Sequence, residues 1–159
     1  ETSLTQILKL QFLTQNFIAM KKYLFRFTDL SFQTSLALLI FRVGVSAALM
    51  THGYGKLLRL IDGNIWGRSH LFFSEEVSFA LITFAEFFCA LFVLLGVGTR
   101  IFTIPLIYAF IIIVFDAHID DPFSKMEKGF LFLVSYSSIF LLGPGKFSID
   151  YLLSKKLKL

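Results

Sequence analysis

Apolar positions along this chain neither alternate nor recur as narrow stripes; they gather into four nearly continuous runs. These lie at about residues 34–53, 77–98, 101–119 and 127–142, broken only by isolated polar residues. A helix crosses about 30 Å of hydrocarbon with roughly 20 mostly apolar residues, and each run approaches that length. Runs of this kind predict transmembrane helices, whereas the strands of a membrane β-barrel would alternate apolar and polar positions. The breaks are equally informative. Only Gly98, Thr99 and Arg100 part the second and third runs, which therefore form a tight antiparallel hairpin. The fourth stops at Gly143-Pro144-Gly145, a strong helix terminator. The expected fold is all-α and integral to the membrane, an antiparallel bundle of four transmembrane helices.

Composition sharpens this reading. The 159 residues are 56% hydrophobic and 16% charged with a mean hydropathy of +0.75, outside the range of an ordinary soluble domain. One cysteine excludes a disulfide scaffold. A single domain over residues 20–159 is expected. Residues 1–19 carry no clear period, and Met20-Lys21-Lys22 has the form of a bacterial start, so the first nineteen residues read as a gene-model extension or a surface helix.

Charge sets the orientation. Lys21, Lys22, Arg26, Arg100, Lys146, Lys155, Lys156 and Lys158 gather on one side of the four runs. On the other side Lys56, Arg59, Arg68, Lys125 and Lys128 are offset by seven carboxylates between Asp62 and Glu127. Lysine and arginine near span ends stay cytoplasmic, which places both termini in the cytoplasm of a bacterial inner-membrane protein. Membrane lipid is the expected surrounding, and a homo-oligomer stays open. No basic stripe interleaves with aromatics on a soluble domain, so no nucleic-acid partner is expected.

Two charges interrupt the apolar runs. Arg42 sits about eight residues into the first, roughly 12 Å from the cytoplasmic edge, and Glu86 roughly 18 Å from that edge in the second. A difference on the order of 6 Å is within the joint reach of the two side chains, which predicts an intramembrane pair, Arg42 with Glu86. Ser35, Arg42, Ser46, Gly53 and Lys56 share one stripe of the first run; Thr83, Glu86, Cys89 and Ala90 share one of the second. The pair reads either as a device that fixes helix register or as the polar floor of a ligand pocket.

His52, Lys56 and Arg59 end the first span and His118 ends the third, a candidate outer-side site for an acidic or oxyanionic ligand. The spacing of these histidines and the neighbouring carboxylates matches no metal signature, and no metal is expected. Cys89, alone and deep in the second run, reads as a small packing residue. No phosphate-binding loop, dinucleotide fingerprint or hydrolase elbow occurs. A share of 17% aromatic residues leaves a quinone as a cofactor open without indicating one.

These residues carry a resemblance. Arg42-Val43-Gly44 followed by His52-Gly53-x-Gly55-Lys56-Leu57 resembles the first-span motif of the DoxX family. Phe84-Ala85-Glu86-Phe87-Phe88 and Leu95-Gly96-Val97-Gly98-Thr99-Arg100 resemble its second span and the ending of that span. Gly143-Pro144-Gly145-Lys146-Phe147-Ser148-Ile149-Asp150 is similar to its closing motif. The resemblance implies a four-helix bacterial inner-membrane protein, in a family named after a subunit of a thiosulfate:quinone oxidoreductase, with other members linked to oxidative-stress complexes. It carries over Arg42, His52, Lys56, Glu86 and Arg100. Two readings of function follow from it. One is a membrane subunit or accessory of a quinone-linked redox or oxidative-stress system, with a soluble redox partner or quinone. The other is a non-catalytic scaffold or small-solute permeation protein.

The orientation is testable in a Cys89→Ser background. A cysteine at Ser69 should react with an impermeant maleimide in cells whose outer membrane is permeabilised, and one at Ser154 should not. The reverse labelling would overturn the topology.

Overall fold

The computed structural model describes residues 2–24, 30–65, 73–117, 119 and 121–157, with the backbone alone for residues 2–4, 17–24 and 157. Its regular structure is helical throughout these residues. Helix α1 (Thr2–Leu24) gathers no apolar face, and every described side chain from Thr5 to Asn16 is exposed. Helix α2 (Phe32–Ile61) spans 30 residues, about 45 Å. The Ser31 hydroxyl caps its start by accepting from Thr34 N at 3.2 Å.

The second apolar run is one continuous helix of three parts. Helix α3 (Glu75–Thr83) starts at the Ser74 cap, with Glu75 and Glu76 in the first turn where the helix dipole favours them. A π-helical segment, π1 (Phe84–Cys89), follows, and α4 (Ala90–Leu95) completes the helix. Gly96 ends it at φ +72°, and Gly98 at φ +54° turns the chain into α5 (Thr99–Ile112). A left-handed backbone at both positions suits glycine, so the hairpin between spans two and three is as tight as its three-residue spacing predicts. A second π segment, π2 (Ile113–Ala117), prolongs α5, and α6 (Phe123–Leu142) starts after Pro122. Helix α7 (Ile149–Leu157) closes the described chain.

Three of these helices, Phe32–Ile61, Glu75–Leu95 and Thr99–Ala117, are long and apolar enough to cross a membrane. Helix α6 has the length, about 30 Å, but carries Lys125, Glu127 and Lys128 in its first two turns. The core draws on four helices: Leu49 of α2, Ala85 and Cys89 of π1, Ala90 and Val93 of α4, Leu106, Ala109 and Phe110 of α5, and Tyr136 and Ile139 of α6. Small residues along span two let its neighbours approach closely. Large apolar side chains turn outward instead, among them Ile40, Leu81, Ile104 and Leu131. This inside-out distribution is what lipid permits and water does not.

Gly53 shows how close the packing is. The first run reads as ending there, yet α2 continues for two more turns. A Cβ at Gly53 would stand 2.7 Å from the Glu86 carbonyl carbon and oxygen, and 2.8 Å from Phe87 N. The glycine marks a crossing of two helix backbones, not a helix end. Gly53→Ala is therefore expected to destabilise by about 1–3 kcal/mol through overpacking. At Gly44, where a Cβ meets nothing within 4 Å, alanine should be neutral or stabilise by about 0.5–1 kcal/mol. Unfolding in mixed micelles checks both, and equal behaviour of the two variants would refute the close crossing.

Candidate functional site

Polar side chains gather at two ends of the bundle. At the Gly143 end, α6 stops at Leu142 and the chain turns through Gly143 (φ +82°), Pro144 and Gly145 (φ +74°). The carbonyls this turn leaves over are met by two arginines. Arg42, buried on α2, donates from Nη1 to Pro144 O at 2.5 Å and from Nη2 to Phe147 O at 2.7 Å. Arg100 Nε donates to Phe140 O at 3.0 Å, a cation on the last carbonyls of α6. Asp150 supplies the opposite charge at a helix start: its carboxylate accepts from Gly98 N (2.7 Å), Thr99 N (2.9 Å) and Thr99 Oγ1 (3.0 Å). Glycine is required here, since a Cβ at Gly96 would lie 2.7 Å from Arg42 Nη1, and one at Gly143 2.8 Å from Arg100 Nη2. Charges and backbone groups answer one another, and the result is a latch.

The His52 end is different. A cleft of about 340 Å³ opens between α2, π1, α5 and α6. Lys56, Arg59, Lys125 and Lys128 line it together with His52, and Glu86 is its carboxylate. Lys125 is also bound to Asp121 at 2.8 Å. Lys56 Nζ donates to Glu86 Oε1 at 2.5 Å, from a side chain 30% exposed to one 4% exposed. The second carboxylate oxygen, Glu86 Oε2, is buried without a hydrogen-bond partner. The Tyr136 hydroxyl lies beside Ser46 and within the field of Glu86 and Cys89, and neither it nor Ser46 Oγ makes a well-formed hydrogen bond. Phe110 and Phe132 wall the cleft with rings stacked at 5.1 Å and 19°, and His52 meets Phe132 edge-on at 6.3 Å. Cations at the rim, an aromatic wall and an under-bonded carboxylate at the floor can receive a small anion or a hydrogen-bonding head group.

The expected Arg42–Glu86 pair does not form. Arg42 lies against Gly96, whereas Glu86 lies against Gly53. About ten residues of span two, roughly 15 Å, separate those two levels. Counting depth from span ends treats both spans as starting level, but α2 begins well before the hairpin, so Arg42 stands opposite the end of span two. His52, Lys56 and Arg59 do share one cleft, and Glu86 joins them. His118 lies outside the described residues. Arg100 belongs to the latch. Among the described residues no three of His, Cys, Asp and Glu come together as a metal would need. Sequence reasoning missed Lys125, Lys128 and Tyr136 as site residues, and Asp150 as a cap. Tyr136, a hydroxyl between Ser135 and Ser137 in an apolar run, was the readable signal.

Three long apolar helices, with large apolar side chains turned outward, define a small multi-pass helical membrane protein. The DoxX family model matches residues 37–119, just over half of the chain, and the chain belongs to the DoxX family. No curated protein and no solved structure matches it.

The corrected pairing makes a sharp expectation. Lys56→Met leaves Glu86 buried without its cation, and Glu86→Gln leaves the ammonium without its anion. Each should destabilise, and the double variant should recover with a coupling of about 0.5–3 kcal/mol. Arg42→Met combined with Glu86→Gln should instead be additive within about 0.5 kcal/mol, since distant sites do not couple. Coupling of Arg42 to Glu86 and none of Lys56 to Glu86 in mixed-micelle unfolding would restore the original pair.

Proposed function

We propose that this protein is a membrane subunit of a quinone-linked redox system in the bacterial cytoplasmic membrane, and that its cleft receives the small anionic substrate of that system. The observation that carries this reading is the lining: four cationic side chains and His52 around one carboxylate that already holds Lys56. An oxyanion among them gains charge-assisted hydrogen bonds, each worth about 1.5–3 kcal/mol. The stacked Phe110 and Phe132 offer a quinone ring a flat apolar wall beside the same cations. Membership of the DoxX family supports the redox setting, since the family takes its name from a subunit of a thiosulfate:quinone oxidoreductase.

In this reading α6 is the fourth crossing of an antiparallel bundle, both termini are cytoplasmic, and the cleft faces outward towards a soluble redox partner. The latch at the Gly143 end weighs against a pore, because Arg42 and the carbonyls it holds fill the bundle where a solute would leave.

Thiosulfate titrated into the detergent-solubilised protein by calorimetry tests the proposal. The wild type should bind, and Lys56→Met and Lys128→Met should each weaken binding about tenfold, ~1.4 kcal/mol. Organic extraction followed by mass spectrometry should find quinone carried through purification. Neither thiosulfate binding nor bound quinone would refute the redox role in favour of a scaffold.

A further inference from the structure

The cation best placed to receive an anion in the cleft is already engaged. Lys56 reaches inward from the rim, and its ammonium is held by Glu86 Oε1. An anion that draws on Lys56 comes to stand close to the Glu86 carboxylate, and two negative charges in one poorly hydrated site repel. The repulsion ends if Glu86 takes up a proton. The structure has a place for that proton: Glu86 Oε2 is buried and has no partner. Near it stand two further buried hydroxyls with the same deficit, Ser46 Oγ and Tyr136 OH. A hydroxyl can accept as readily as donate, so an ordered water can carry a hydrogen bond from a protonated Oε2 to one of these oxygens.

We propose that anion binding in the cleft is coupled to protonation of Glu86, which releases Lys56 from the Lys56–Glu86 pair to hold the anion. The inference rests on the anion-receiving reading of the cleft and adds its regulation by protons. The balance is simple. One proton from solution bonds to Glu86 Oε2, Lys56 keeps its own and turns from Oε1 to the anion, and no other bond changes. Binding one anion thus draws in one proton, and by linkage acid must tighten the anion.

Other groups face Glu86 and have to be separated from it. On α2 these are His52, Lys56 and Arg59; on α6, Lys125, Lys128 and Tyr136; on its own helix, Cys89. Helix α5 brings Phe110 to the cleft and π2 brings Ile113, neither of which titrates. Lys56, Arg59, Lys125 and Lys128 are cations of kinds that ordinarily stay charged through neutral pH, and His52 is the rival proton acceptor.

Calorimetric titration of thiosulfate into the wild-type protein, repeated in buffers of different ionisation enthalpy, counts the protons taken up. About one proton per anion is expected, with affinity rising as the pH falls. Glu86→Gln mimics the protonated acid and should bind thiosulfate tightly with no proton uptake, whereas His52→Gln, which also alters the cleft lining and its affinity, should still take up about one proton for each anion bound. If Glu86→Gln fails to fold, the proton count in the wild type and in His52→Gln still decides. Thiosulfate bound without protons would overturn the coupling and leave the anion cleft standing. Uptake lost with His52→Gln would overturn it in favour of the histidine. No thiosulfate binding at any pH would overturn both.

Discussion

Lipid offers no hydrogen bonds, so each polar group that α2 turns inward must be answered from within the bundle. Its buried stripe of Ser35, Leu38, Arg42, Ser46, Leu49 and Gly53 recurs every three or four residues, and the other helices are arranged around it. Arg42 holds the turn that follows α6. Gly53 sets how near span two can come, and Lys56, one turn further, reaches the carboxylate that this approach delivers. The guanidinium leaves little choice, because it keeps its charge, whereas a buried lysine can lose its charge by shedding a proton and a buried glutamate by gaining one. Its fork needs acceptors at fixed positions, and the chain after α6 supplies two, Pro144 O and Phe147 O. One helix face thus dictates the shape of a loop about a hundred residues later.

The two ends of the stripe are bonded differently. At the Gly143 end, cations sit on helix-end carbonyls and a carboxylate sits on helix-start amides, close to an ideal use of both dipoles. Buried groups without partners occur at both ends: Ser35 Oγ and Arg42 Nε on the latch side of α2, and Glu86 Oε2, Ser46 Oγ and Tyr136 OH on the His52 side. Each such group costs about 1–3 kcal/mol relative to a bonded one. Packing alone does not explain the two hydroxyls, since alanine at position 46 and phenylalanine at position 136 would fill the same space with no buried polar atom. What separates the ends is access: Glu86 lines an open cleft, whereas Ser35 and Arg42 do not.

Much of this was legible in the chain. Run length and hydropathy locate the helices, because crossing hydrocarbon is a demand on composition more than on detail. The inward stripes of α2 and span two were equally readable, as spacing alone puts Arg42 with Ser46 and Glu86 with Cys89. The pairing across helices was not. It depends on the vertical register of two helices, which Gly53 against Glu86 and Gly96 against Arg42 decide by close backbone approach. No single-chain periodicity carries that quantity. Asp150 was visible as a residue, but its work as the cap of α5 requires a contact with residues 51 and 52 positions away. Lys125 and Lys128 counted only as orientation charges, because their place beside His52 is made by the packing of α6 against α5.

The choice of cation at the two ends follows from what each must do. A planar guanidinium presents several donors in a fixed fork, which suits a latch that holds two carbonyls at once. A lysine is a compact charge on a flexible stem and can move between acceptors without rebuilding its surroundings. Arginine therefore stands at positions 42 and 100, and lysine at position 56. The backbone agrees with this division. Both π segments border the cleft, π1 carrying Glu86 and π2 carrying Ile113. A π turn widens the helix by one residue and redirects the side chains around it, a device found often at functional sites and seldom in a plain strut. Between Thr99 and Ile112, where Pro105 interrupts the ladder, and from Ala90 to Leu95 beside the latch, the chain stays α-helical. The irregular turns fall where a side chain has to meet something the bundle itself does not provide.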